Sequence, residues 1–122
     1  MYQTYVKGEQ LFQVKSTGYG EPITTFATTE QGETPVSLVV VALASCVSMC
    51  VQGYFARRHG NEDFPVEVSA SYSEATFDIQ VALSEPIQPD LELELEAYIA
   101  DKCRVKQLLH PDLVINIVFT RS

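Results

Sequence analysis

Three thiols in this sequence could attack, oxidise or ligate a metal: Cys46, Cys50 and Cys103. A thiolate that attacks a peroxide oxygen becomes a sulfenic acid, and a second thiol condenses with it to a disulfide. Cys46 and Cys50 lie near one face of a helical stretch, because residues four apart are neighbours on a helix. Bridging that pair would strain helical geometry, so Cys50 is the weaker resolving candidate and reads as a packing residue. The spacing also suits three packing residues, since free cysteine is among the most buried residue types. A metal site from Cys46, Cys50, Cys103 and His110 has suitable ligand types but lacks a close pair such as C-x-x-C. His59 reads as a helix-end residue and His110 as a turn residue.

The element carrying Cys46 is unusual. From Thr34 to Ala56 no residue is charged, a length sufficient for a membrane span. Ser37, Ser45, Ser48 and Gln52, placed at 100° per residue, fall within an arc of about 80°. That pattern describes a helix of a soluble protein, buried nearly all round, with one weakly polar stripe. Thr34 is the expected N-cap, with Pro35 in the first turn. Arg57-Arg58-His59-Gly60 is the expected end, where cations meet the negative pole and glycine takes a left-handed cap. Leu43-Ala44-Ser45-Cys46 matches a lipidation signal by accident, lying far from the N-terminus without a basic lead-in.

Around this helix, Thr4 to Lys7 and Leu11 to Lys15 read as strands joined at Gly8-Glu9-Gln10, and Ile23 to Thr28 as a third. Pro65 to Ser73 and Thr76 to Leu83 alternate as a hairpin turning at Glu74-Ala75. A second helix starts at Gln88-Pro89-Asp90. In LELELEAYIADKC, alternating leucines suggest a strand, but Leu91, Leu95, Ile99 and Cys103 recur at helical spacing, and Glu and Leu favour helix. Its acidic residues form a solvated face rather than a metal site. Leu113 to Phe119 closes the chain as a strand. The expected fold class is α+β, in the order β-β-β-α-β-β-α-β, as one domain over residues 1–122.

The 122 residues carry 16 acidic and 8 basic side chains, a net charge of −8, with 46% hydrophobic content. Such a balance argues against nucleic-acid and anionic-membrane partners, which need clustered Lys and Arg. Three cysteines do not make a secreted disulfide framework, and no signal peptide is visible, so a reducing cytoplasm is the expected location.

Pro35-Val36-Ser37-Leu38 followed by Ala42-Leu43-Ala44-Ser45-Cys46-Val47-Ser48-Met49 resembles the central helix of the OsmC/Ohr family, the osmotically inducible and organic hydroperoxide resistance proteins. Asp101 to Leu109, around Cys103, is similar to the family's second-cysteine motif, usually Cys-Pro-Val followed by a short helix. The resemblance implies an intertwined homodimer with two long apolar helices buried between wrapped sheets. It also implies a thiol-dependent peroxidase reducing organic hydroperoxides in defence against oxidative stress, with no metal or bound cofactor. Cys46 would be the peroxidatic nucleophile and Cys103 the resolving thiol, re-reduced by an external dithiol. The family's helix-start Glu is replaced by Val36, leaving Glu33 as the nearest carboxylate. Its loop Arg is absent from Ser16 to Gly20, with Lys15 the nearest cation, and its proline is replaced by Arg104. A cation is what an apolar thiol needs to ionise; Arg104 is the candidate substitute. The alternative reading is a non-catalytic dimer of the same fold that binds a small ligand or serves as an interaction module.

Overall fold

The computed structural model describes residues 1–121, which form two compact units, Met1–Val39 and a second from Val40 onward. In the first, β1 (Tyr5–Gln10), β2 (Gln13–Thr17) and β3 (Ile23–Phe26) make an antiparallel meander. The first turn is not at Gly8-Glu9-Gln10 as expected. β1 runs through Gly8 with a register irregularity between Gly8 and Gln10, and the chain reverses at Leu11-Phe12, where Phe12 has φ 59°. A glycine in a strand marks a bulge as readily as a turn, which is what the periodicity could not separate.

Helix α1 (Pro35–His59) begins as its sequence dictates. The Ser37 N–H donates to Thr34 Oγ1 at 3.0 Å and the Thr34 N–H donates back to Ser37 Oγ at 2.7 Å, a reciprocal cap. At the other end Gly60 takes φ +66°, and the N–H groups of Gly60 and Asn61 turn back to the carbonyls of Ala56 and Phe55 at 3.1 Å.

In the second unit, β4 (Val66–Ser73) and β5 (Thr76–Leu83) form the expected hairpin, with positive φ at both Glu74 and Ala75. β6 (Val114–Arg121) lies parallel to β5, the crossover being made by α2 (Pro89–Lys102) and a short α3 (Arg104–Leu108). The alternating side chains of β5, Phe77, Ile79, Val81 and Leu83, point into a core shared with α1 and α2. In α2 the helical period wins over the leucine alternation: Leu95, Ile99 and then Cys103 are buried, while Leu93 is exposed.

Cys103, expected on or just past the second helix, lies just past it. The helix stops at Lys102, Cys103 adopts an extended backbone (φ −76°, ψ 100°), and a correction is needed in the element order, to which α3 adds a third helix. The central helix is also not buried nearly all round, as its pattern suggested. Leu43, Val47, Cys50, Val51, Tyr54 and Phe55 are buried, but Val36, Val41 and Met49 are largely exposed. The core formed with α2 and the β4–β6 sheet covers only one stripe of a helix that is apolar on most sides. Among the described residues α1 is the one helix long and apolar enough to cross a membrane, and its buried stripe gives it the role of a core helix.

Candidate active site

Cys46 sits two turns inside the second unit's part of α1, half-buried, with Cys50 one turn further on the same face. Cys103 is fully buried at the break between α2 and α3. Its N–H donates to the Ile99 carbonyl at 2.8 Å and its carbonyl accepts from the Gln107 N–H at 3.2 Å, so one residue ends one helix and starts the next. The fold brings the three thiols together: their sulfurs all lie within 4.8 Å of one another. None is in a disulfide.

The thiols differ electrostatically. Burial pushes Cys46 up, but the backbone N–H of Val105, the Cys103 thiol, the backbone N–H of Arg104 and the Cys50 thiol together outweigh it and hold Cys46 below the ordinary thiol value. Burial first, and then the neighbouring Cys103 and Cys46, push Cys50 up to about 12. Burial also raises Cys103, and its interactions with Cys46 add to that. One thiol of the three is therefore lowered while its two neighbours are raised, and the thiolate is the reactive form of a cysteine.

The helix break supplies this selectivity. Because α3 restarts at Arg104, the N–H groups of its first residues have no intrahelical acceptor, and those of Arg104 and Val105 stabilise the Cys46 thiolate. Proline at position 104 would lack that N–H. Replacing the motif's proline by Arg104 thus adds a backbone donor as well as a charge.

Arg104 also lines an open cleft of about 550 Å³ with Cys46, Met49, Cys50, Tyr98, Arg57, Arg58 and Lys102. Four of the chain's 8 basic residues meet at this one opening in an acidic protein. Arg57 donates to the Tyr98 hydroxyl, and the Arg58 guanidinium lies 5.8 Å from the Tyr98 ring centre and 5.9 Å from that of Tyr54. Gly53 leaves room for the first of these, since a methyl there would come 3.2 Å from an Arg57 nitrogen.

Of the expected site residues, Cys46, Cys103 and Arg104 share this region. Glu33 belongs to the first unit, where it accepts from the Ser37 hydroxyl at 3.4 Å. His110 is exposed, with Nδ1 accepting from the Asp112 N–H at 3.0 Å, and His59 packs beside Tyr54 and Phe55. Both are the turn and helix-end residues expected of them. Arg57, Arg58, Lys102 and Tyr98 were not expected at the site. Arg57 follows Cys46 by about three helical turns, so its face was legible, but the two arginines read equally as dipole-complementing end residues.

No protein-family model matches the sequence, and no curated protein resembles it significantly. Solved structures match over essentially the whole chain. A Psychrobacter arcticus protein named for osmotic stress induction and a detoxification response superposes with TM-score 0.76 at 17% identity, covering 98% of this chain and 96% of that one. An OsmC-like protein of Mycoplasma pneumoniae gives 0.71 at 14% identity, over 100% and 96%. The fold is the OsmC/Ohr fold. An organic hydroperoxide resistance protein OsmC from Legionella pneumophila shares it at TM-score 0.62 and 15% identity, over 100% and 98% of the two chains. On this OsmC/Ohr scaffold Cys46 lies on the long helix and Cys103 at the α2–α3 break, the elements in which the sequence motifs put them.

Proposed function

We propose that this protein is a cytoplasmic thiol peroxidase that reduces organic hydroperoxides through Cys46 and Cys103, as a homodimer re-reduced by an external dithiol. The observation that carries this reading is the pairing of a thiol held below its ordinary pKa with a second thiol whose sulfur lies within 4.8 Å. The Cys46 thiolate attacks the distal peroxide oxygen. The O–O bond breaks, the alkoxide takes a proton and leaves as the alcohol, and Cys46 becomes a sulfenic acid. The Cys103 sulfur then attacks the Cys46 sulfur, its proton leaves with the hydroxyl as water, and a disulfide forms. Two thiols and one hydroperoxide give one disulfide, one alcohol and one water. The cationic cleft supports the same reading, since positive charge near the reacting atoms favours both the thiolate and the developing alkoxide.

Dimerisation is proposed from the apolar surface left uncovered. Val36, Val41 and Met49 on α1 are 60%, 47% and 68% exposed, and β1 has no buried residue. The test is consumption of tert-butyl hydroperoxide by the reduced protein. The expected result is loss of two thiols per turnover, none with Cys46→Ser, and a dimedone-reactive sulfenic acid at position 46 with Cys103→Ser. Undiminished consumption by Cys46→Ser would overturn the reading.

A further inference from the structure

The two-thiol cycle leaves Cys50 without a chemical part, yet its sulfur lies within 4.8 Å of each of the other two. We propose that Cys46, Cys50 and Cys103 form a three-sulfur site for a soft, thiophilic metal ion of the Cu(I) kind. Metal–sulfur bonds of about 2.3 Å in a trigonal plane set the sulfurs about 4 Å apart. The trio, with every separation within 4.8 Å, reaches that shell by small side-chain rotations. Two of the ligands come from one face of α1 and the third from the α2–α3 break, so a three-sided shell is built without moving a backbone element.

The donor set selects the ion. Thiolate ligands without carboxylate, carbonyl or imidazole suit Cu(I) rather than hard cations. His110, the imidazole nearest in sequence to Cys103, is exposed and engaged with Asp112, so it supplies no fourth ligand. Three thiolates around a monovalent ion carry a net charge of −2, and Arg57, Arg58, Lys102 and Arg104 line the adjoining cleft to balance it. The same cleft reaches Cys46 and Cys50, giving the ion a route in, with the Met49 thioether at its edge as a transient soft donor. Binding releases the three thiol protons, so affinity rises with pH. It also needs all three cysteines reduced, which makes a metal-bound form and a Cys46–Cys103 disulfide mutually exclusive.

The test is anaerobic titration of the reduced, metal-free chain with Cu(I) against a chromophoric chelator, with the copper environment read by X-ray absorption. The expected outcome is one Cu(I) per chain bound by three sulfurs. Cys50→Ser and Cys50→Ala should each weaken binding by more than the ~100-fold that loss of an outer-shell partner can cost. Coordination by two sulfurs in the unaltered protein, or equal affinity in both folded Cys50 variants, would overturn the proposal. The sulfur count in the unaltered chain decides the matter even where a variant fails to fold. The outcome is separable from peroxidase activity: three-sulfur copper in a protein inert to hydroperoxide sinks the peroxidase reading alone, and peroxide turnover with two-sulfur copper sinks this one alone.

Discussion

A cysteine in the middle of a helix gains little from that helix's own dipole, because the effect fades beyond the first and last turns. Here the stabilising donors come from elsewhere, the N–H groups of Arg104 and Val105 at the start of α3. Arg104→Pro removes one of them while keeping a residue that fits the first helical position. The pH at which Cys46 alkylates should then move upward, and an unchanged alkylation profile would remove the backbone donor from the account. Cys50 offers a second test. Folded, it keeps its proton to about pH 12, whereas the unfolded chain releases it at roughly 8.5. Between those values the unfolded state binds fewer protons, so Cys50 makes stability fall as pH rises, by about 1.4 kcal/mol per pH unit at the steepest. Urea titrations of reduced protein at pH 8, 9 and 10 should show a shallower decline for Cys50→Ala than for the unaltered chain. Parallel declines would contradict the depth of burial assigned to this thiol.

At the scale of elements, several local rules carried through to the structure. The Thr34–Ser37 cap, the Gly60 termination and the Glu74-Ala75 turn follow from short-range geometry that the sequence states directly. The hairpin turn is made by two residues that pay the left-handed penalty, since neither is glycine or asparagine. Ala75→Gly should therefore stabilise the protein by about 1 kcal/mol, read as a higher denaturation midpoint with unchanged slope. A lower midpoint would mean that the alanine methyl packs favourably enough to outweigh the strain. The departures came where one pattern serves two structures. Gly8 fits a turn or an irregular strand, and Cys103 fits the last residue of a helix or the first beyond it, so the sequence left both open. The break turned on the extended backbone of Cys103, which no side-chain periodicity encodes.

For the whole molecule, the unresolved account of α1 is one of area. A helix with almost no polar face needs cover on all sides, and the core of the second unit covers one stripe. A second copy is the proposed cover, so the 13.6 kDa chain should sediment as a dimer. Val41→Glu, which puts a charge on the uncovered side, should shift it toward monomer, as read by light scattering after size exclusion. A monomer in the unaltered protein at micromolar concentration would exclude the proposed assembly.

The sequence by itself determined the α+β element order up to one short helix, the two helix ends, the inward face of β5, and the two cysteine segments that resemble the OsmC/Ohr motifs. These are local or periodic properties, fixed by residues within a few turns of each other. Only the tertiary structure decided that Cys50 joins the other two thiols, that the N–H groups of α3 stabilise the Cys46 thiolate, and that four basic side chains converge beside it. Each of those depends on bringing α1 against the α2–α3 break, a contact between distant segments that spacing along the chain does not specify. The same packing lowers the pKa of one of three chemically identical side chains and raises the other two, because burial and donor placement are properties of the folded neighbourhood.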